Sequence, residues 1–264
     1  MGALLKQALA ANRVIRVFGL GQLCHPKVVE MVGQAGGYEA VWLDQEHGGL
    51  TMAQIEEATR AARAVGLDSF VRLNATDYAT VMRALEAGAG GIMASMVRSA
   101  RQAEEIIRWA KFHPRGMRGI NGTGVDGRYG TMPMKEYLAK ANAETFIAIQ
   151  IEHIDAVNEL DAIAGLPDVD VLFVGPADLS QSMGHPGEWE HPLVWEALAK
   201  VSAAAKQHRI AWAILPPSPD YARRCVELGC RMLGIGLDVW AVGKGLKAFK
   251  EAYGEWFGKE CTPH

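Results

Sequence analysis

Asp44, Glu46 and His47 stand within four positions at the end of an apolar run, Val41-Trp42-Leu43, and Gly48-Gly49 follows at once. A buried strand that breaks off into titratable side chains carries them at its carboxyl end, where the sites of parallel α/β enzymes lie. An acid three residues ahead of a histidine can orient the imidazole and raise its basicity, which suits a general base near neutral pH. Other apolar runs end in the same manner. Phe70-Val71-Arg72 brings an arginine to a strand end, Phe146 to Ile151 contains Gln150 and is followed by Glu152, and Val169 to Val174 opens into Gly175-Pro176-Ala177-Asp178.

Each of these groups has a plain reading and a chemical one. Glu152 and Asp178 are carboxylates suited to a hard divalent ion with water or substrate in the remaining positions; otherwise each caps a helix or pairs with a loop cation. Arg72 needs an anionic partner if buried, and either pairs with Asp44 or Glu46 or holds a developing oxyanion. Gly175-Pro176-Ala177-Asp178 is either an ordinary turn or a helix start whose Ala177 and Asp178 amides bind a carboxylate. His153, beside Glu152, reads as loop surface.

To bring such residues together the chain must gather its strand ends at one mouth. A helix over 3–12 comes first, and strands are expected at 14–20, 40–44, 68–73, 91–95, 145–151, 169–174, 210–215 and 232–236. Helical patterns over 26–35, 51–65, 77–87, 99–112, 133–142, 154–164, 192–207, 219–228 and 238–257 separate and follow them. The strands are apolar almost throughout, as burial on both faces requires. Eight such units imply a (β/α)8 TIM barrel, an α/β fold, in a single domain over 1–264. An open doubly wound sheet is the alternative, but no GxGxxG turn follows the first strand. The segment 113–124 is long for a connection, and its Arg115 and Arg118 argue for function. The last helix carries Trp240, Phe249, Tyr253, Trp256 and Phe257.

The chain has 264 residues, 49% apolar, and a net charge of -3. That balance gives no reason to expect nucleic acid or a membrane as partner. No apolar run reaches the roughly 18 residues of a membrane span, and no secretory h-region opens the chain, so a soluble cytoplasmic protein is expected. Cys24, Cys225, Cys230 and Cys261 form no CxxC pair and read as free thiols. None of the expected strands carries a lysine, which disfavours Schiff-base chemistry. There is no GxSxG elbow and no P-loop.

Taken together, Leu43-Asp44-Gln45-Glu46-His47, Val71-Arg72, Pro114-Arg115-Gly116-Met117-Arg118-Gly119, Gln150-Ile151-Glu152 and Gly175-Pro176-Ala177-Asp178-Leu179-Ser180 resemble the HpcH/HpaI family of class II, metal-dependent pyruvate aldolases. Its members include 4-hydroxy-2-oxoheptanedioate and 2-dehydro-3-deoxyglucarate aldolases. The resemblance runs from about residue 14 to 245. It implies a phosphoenolpyruvate/pyruvate-type barrel that cleaves a 4-hydroxy-2-oxo acid reversibly to pyruvate and an aldehyde, as in aromatic compound catabolism. Glu152 and Asp178 match the ligands of a divalent metal, with Mg2+ expected and Mn2+ or Co2+ as alternatives. His47 with Asp44 matches the base dyad, Arg72 the enolate-stabilising arginine, and Gln150 a polar residue near the bound oxo acid. Gly175, Pro176 and Ala177 fall at the substrate-binding turn. The family commonly assembles as hexamers through swapped terminal helices, so a hexamer or another trimer-based homo-oligomer is implied. Two positions depart from the close aldolases: Glu86 stands where they have Asp, and Ile151-Glu152-His153 where they have Val-Glu-Thr. The competing functions are an oxaloacetate-type decarboxylase on the same metal–enolate site and a non-catalytic 2-oxo-acid-binding barrel.

Overall fold

The apolar runs become eight parallel strands, each hydrogen-bonded to the next and the last to the first. They are β1 (Ile15–Leu20), β2 (Ala40–Asp44), β3 (Asp68–Leu73), β4 (Gly91–Ala94), β5 (Phe146–Ile151), β6 (Val171–Val174), β7 (Ala211–Ile214) and β8 (Met232–Leu237). The computed structural model describes residues 2–257. Around the barrel run α1 (Ala3–Ala10), α2 (Pro26–Ala35), α3 (Met52–Ala64), α4 (Tyr78–Glu86), α5 (Ala100–Ala110), α6 (Met134–Glu144), α7 (Ile154–Asn158), α8 (Leu160–Ala164), α9 (Pro176–Ser182), α10 (Pro192–His208), α11 (Pro219–Glu227) and α12 (Asp238–Ala252). This is the (β/α)8 barrel that the spacing implied.

Alternation along the strands sets what lines the interior. Val41, Leu43, Val71, Leu73, Ile147, Ile149, Ile151, Leu172 and Val174 face outward and pack against the helices. Ala40, Trp42, Phe70, Phe146, Ala148, Val171 and Phe173 face inward and fill the barrel. Trp42 meets Phe173 edge-on at 5.7 Å, and Phe70 lies 5.4 Å from Phe146. The same period of two makes Asp44, Arg72 and Gln150 the next inward residues above this aromatic layer, with Glu152 and Gly175 one step beyond.

The opposite end of the barrel is sealed by α1. Leu5 and Ala8 join the interior cluster. The Leu5 amide donates to Asp68 Oδ2 at 2.8 Å, and the Gly2 amide to the Gly90 carbonyl at 3.1 Å.

Register along β1 and β8 is broken by a bulge: Val17 pairs with Gly234 but Gly19 with Leu237, so β8 carries one extra residue. Gly236 sits inside it at φ +91°, a conformation that favours glycine.

Three departures from expectation exceed a shift of two residues at an end. The helix expected over 154–164 is two, α7 and α8, broken at Glu159. Residues 176–182 form α9, too short for a helical period to stand out. The helix expected to reach 257 ends at Ala252, and Gly254–Trp256 makes a 3-10 turn. Of the cysteines, Cys24, Cys225 and Cys230 are free and buried, whereas Cys261 lies outside the described residues.

Both arginines of the long segment, which the sequence offered as signs of function, are held in ion pairs. Arg115 spans Glu104 (2.8 Å) and Asp168 (2.6 Å), and Arg118 is buried against Asp126 (2.5 Å), which Tyr137 also contacts. Both guanidinium charges are thereby neutralised inside the segment's own supports. Glu86 ends α4 beneath the same segment, where a Cβ at Gly124 would come within 3.1 Å of its carbonyl.

Candidate active site at the carboxyl mouth of the barrel

Asp44 ends β2 directly beside Arg72 on β3. The guanidinium forks onto that carboxylate, Nε to Oδ1 at 3.0 Å and Nη2 to Oδ2 at 2.5 Å. Its remaining terminal nitrogen, Nη1, lies 3.2 Å from Glu46 Oε2, and the planar group stacks 4.7 Å over Trp42. Arg72 is therefore only 8% exposed yet fully compensated, and it sits on the aromatic floor of the mouth. The pairing that sequence offered as the plain reading of Arg72 is present, and it holds the guanidinium in a fixed orientation.

Asp44 does not bond the His47 ring. Its Oδ1 accepts the His47 backbone amide at 3.2 Å, which shapes the turn, while the imidazole is 66% exposed. The nearest acid to the ring is Glu46, at 3.9 Å from Nε2. Asp44 thus fixes where the turn starts and leaves the ring exposed.

Glu152 follows β5 and is 2% exposed. Its Oε1 accepts the Met96 amide at 2.6 Å, and its Oε2 accepts from Gln150 Nε2 at 2.5 Å. Burial pushes its pKa up to about 7, and the negative charges of Glu46 and Asp178 add to the rise while the Met96 amide opposes it. Asp178, in the first turn of α9, is half-buried and makes no capping bond to that helix. The capping explanation therefore fails for Asp178, and for Glu152 as well, because His153 is the residue whose ring caps α7 by accepting the Asp155 amide.

The surroundings fit a divalent cation. A buried carboxyl that neighbouring acids push up, as Glu152 is, is relieved by a positive charge placed among them. Gln150 Oε1 is buried with no hydrogen-bond partner among the described residues, and Glu46 Oε2, although ion-paired to Arg72, makes no hydrogen bond there either. At Gly175 a Cβ would lie 2.7 Å from Glu152 Oε2 and 2.9 Å from Gln150 Nε2, so glycine is needed for the turn to pass this close. Oxygen donors of this kind suit Mg2+ or Mn2+.

A different cluster, His185, Glu188 and His191, brings three potential metal ligands together between α9 and α10. His191 Nδ1 already accepts the Leu193 amide and caps α10, and the two imidazoles are stacked at 3.5 Å. Its nitrogen donors are of the wrong hardness for the ion that the mouth suits.

Two contributions were missed in the sequence. Glu46 was offered only as a partner for Arg72, which it is, and its field on Glu152 is the part the structure adds. Met96 contributes a backbone amide from a left-handed conformation, φ +56°, which an apolar side chain gives no reason to expect. Buried Lys111 lies elsewhere, donating to the Asn142 carbonyl at 2.7 Å near the start of β5.

A family model described as HpcH/HpaI aldolase/citrate lyase matches residues 22–243. A 4-hydroxy-2-oxovalerate aldolase from Novosphingobium aromaticivorans is 34% identical over 91% of this chain and 90% of its own. A hydroxypyruvate/pyruvate aldolase from Pseudomonas aeruginosa is 30% identical over 98% of this chain and 94% of its own. The crystal structure of an HpcH/HpaI aldolase from Desulfitobacterium hafniense superposes with a TM-score of 0.87 at 33% identity, covering 94% of this chain and 97% of that one.

Proposed function

The chain belongs to the HpcH/HpaI aldolase/citrate lyase family and is a carbon–carbon lyase of the aldolase kind; from that premise we propose that it cleaves 4-hydroxy-2-oxo acids reversibly to pyruvate and an aldehyde at the mouth built from Asp44, His47, Arg72, Gln150, Glu152 and Asp178. The observation that carries the residue assignment is the Glu152 carboxylate: buried, raised by its acidic neighbours and backed by Gly175, it has the environment of a metal ligand.

Glu152 and Asp178 hold a divalent cation, Mg2+ by preference with Mn2+ or Co2+ as substitutes. Such an ion supplies Lewis acidity toward the substrate's 2-oxo group. The Gly175-Pro176-Ala177 turn and Gln150 bind and orient the oxo-acid end. His47 takes the proton from the 4-hydroxyl as the C3–C4 bond breaks, releasing the aldehyde. Arg72, immobilised by Asp44, donates hydrogen bonds to the oxygen on which the enolate charge of pyruvate develops. Protonation at C3 then gives pyruvate.

The direct test is a screen of 4-hydroxy-2-oxo acids of varied length with pyruvate detected. Turnover should collapse with a chelator and return with Mg2+ or Mn2+; chelator-resistant turnover rejects the metal assignment. His47→Ala should lower cleavage by about 10²- to 10⁴-fold, the usual worth of a positioned acid–base group, while calorimetric Mn2+ binding persists. Oxaloacetate decarboxylation needs the enolate but no hydroxyl-directed base, so the same variant should leave that reaction nearly unchanged. A decarboxylase without aldolase activity is the second reading, and this pair of assays separates the two.

The apolar outer face of α12 supports self-association. Trp240, Val242, Leu246 and Phe249, with Trp256 and Phe257 beyond it, are exposed. A cover for such a face is a second copy of the chain, in the hexameric or trimer-based assembly, and sedimentation at micromolar concentration tests it. No helix is long and apolar enough to cross a membrane among the described residues; a cytoplasmic site of action is part of the proposal.

A further inference from the structure

Asp238 is the first residue of α12 and is only 3% exposed, although the rest of that helix stands mostly in solvent. An ionised carboxylate is not buried without partners, and here the partners lie more than two hundred residues away in sequence. Its Oδ2 accepts the amides of Gly21 at 2.8 Å and Leu23 at 2.7 Å, and its Oδ1 accepts the Val239 amide at 2.7 Å. Both distant amides belong to the connection between β1 and α2.

The bulge explains how the carboxylate reaches them. One extra residue in β8 moves every later side chain to the other face. Gly236, at φ +91°, absorbs the kink.

The β1–α2 connection in turn leans on the turn that carries His47. Gln22 Nε2 donates to the His47 carbonyl at 3.2 Å. A Cβ at Gly48 would fall 2.7 Å from the Gly21 carbonyl oxygen, so the two backbones touch. Asp44 Cβ lies within 3.5 Å of where a Cβ at Gly21 would stand. A chain of direct contacts therefore runs from Asp238 through Gly21 and Gln22 to the backbone on both sides of His47. That imidazole is exposed and makes no side-chain hydrogen bond of its own among the described residues, so its placement depends on its backbone.

We propose that Asp238 is a positioning residue for the proton-transfer step, holding the Gly21–Leu23 segment so that the 44–48 turn presents His47 to the substrate hydroxyl. This rests on the aldolase reading above, in which His47 is the base. Asp238 touches neither Glu152 nor Asp178, and its loss should spare metal binding. It should also spare a reaction that does not use His47.

The experiment is the Asp238→Asn substitution in the full-length protein, which keeps the shape but removes the charge that accepts both amides. Aldol cleavage should fall by about tenfold to a hundredfold in kcat, the cost of misplacing a reacting group by an ångström or less, with KM little changed. Oxaloacetate decarboxylation and Mn2+ affinity should stay near those of the unmodified protein. In a His47→Ala background the further effect of Asp238→Asn should vanish, because residues that act through one another are non-additive. Equal losses in both reactions, no loss in either, or an undiminished effect in the His47→Ala background would each overturn the proposal. If Asp238→Asn does not fold, Gln22→Ala decides: Gln22 is exposed, and a selective fall in cleavage supports the proposal whereas an unchanged rate removes it. Should the unmodified protein show decarboxylation but no aldol cleavage, the aldolase reading itself fails, a result distinct from any of these.

Discussion

Replacing Glu152 with Gln should abolish turnover and, in metal-free protein at pH 8, raise the melting temperature. The two effects have one cause. On the proposed assignment, loss of the anionic ligand would remove a site whose cation would be worth several kcal/mol of transition-state stabilisation; ~4 kcal/mol corresponds to about a thousandfold in rate. The stability effect follows from the pKa of about 7 that burial and the neighbouring acids give Glu152. A carboxyl whose folded-state pKa is raised binds its proton more tightly when folded. Its favourable contribution is fully present below the ordinary glutamate pKa and is lost as pH rises through about 7. At pH 8 the ionised group costs on the order of 3 kcal/mol, so the neutral amide should raise the melting temperature by roughly 5 to 10 °C. At pH 5 most of that gain should be gone. Calorimetry at the two pH values, on protein stripped of metal, checks the sign. An unchanged or lowered melting temperature at pH 8 would mean that Glu152 is not strained by its surroundings. Metal affinity should also fall by up to tenfold per unit as pH drops below 7, since protons compete for the same oxygen.

Arg72→Lys should cost about 10²- to 10³-fold in kcat for cleavage, as removal of an oxyanion donor does elsewhere, with a smaller change in KM. Lysine keeps the charge but cannot fork onto Asp44 while also facing Glu46, as the guanidinium does at 2.5 and 3.2 Å. It also forfeits the stacking over Trp42. Arg72→Ala should be worse in a different way, since Asp44 and Glu46 would be left facing each other without a cation. Comparing the melting temperatures of the two variants separates the parts: a Lys variant that stays folded but turns over slowly assigns the loss to the reaction. If Arg72→Lys retained most of its activity, the guanidinium would be only a strut.

The barrel was legible because its strands are short, uniformly apolar and spaced by helical patterns, and because an abrupt polar ending is visible at β2, β3, β5 and β6. Period-two alternation even fixes Asp44 and Arg72 on the same side as Trp42 and Phe70. What the sequence withheld was partner choice. Asp44 was expected to orient the His47 imidazole, but three residues is also the spacing of a turn, and the backbone amide takes the bond. The partners of Arg115 and Arg118 were hidden because Asp168, Glu104 and Asp126 come to them through folding or local turn geometry. Met96 could not be found at all, since a backbone amide has no signature in the residue type. The helix start offered at Gly175-Pro176 is present as α9, but its end was not legible because two turns of helix give too few positions for a period to emerge.

The amides of Gly2 and Leu5 are stitched to the base of β4 and β3, at the pole of the barrel remote from Glu152 and Asp178. A tether attached ahead of Gly2 would consequently lie on the far side from the reacting groups. Protein captured on a bead or electrode by that end should face its substrate outward, so that grafting through the leading end preserves turnover, provided the spacer leaves the Gly2 amide in place.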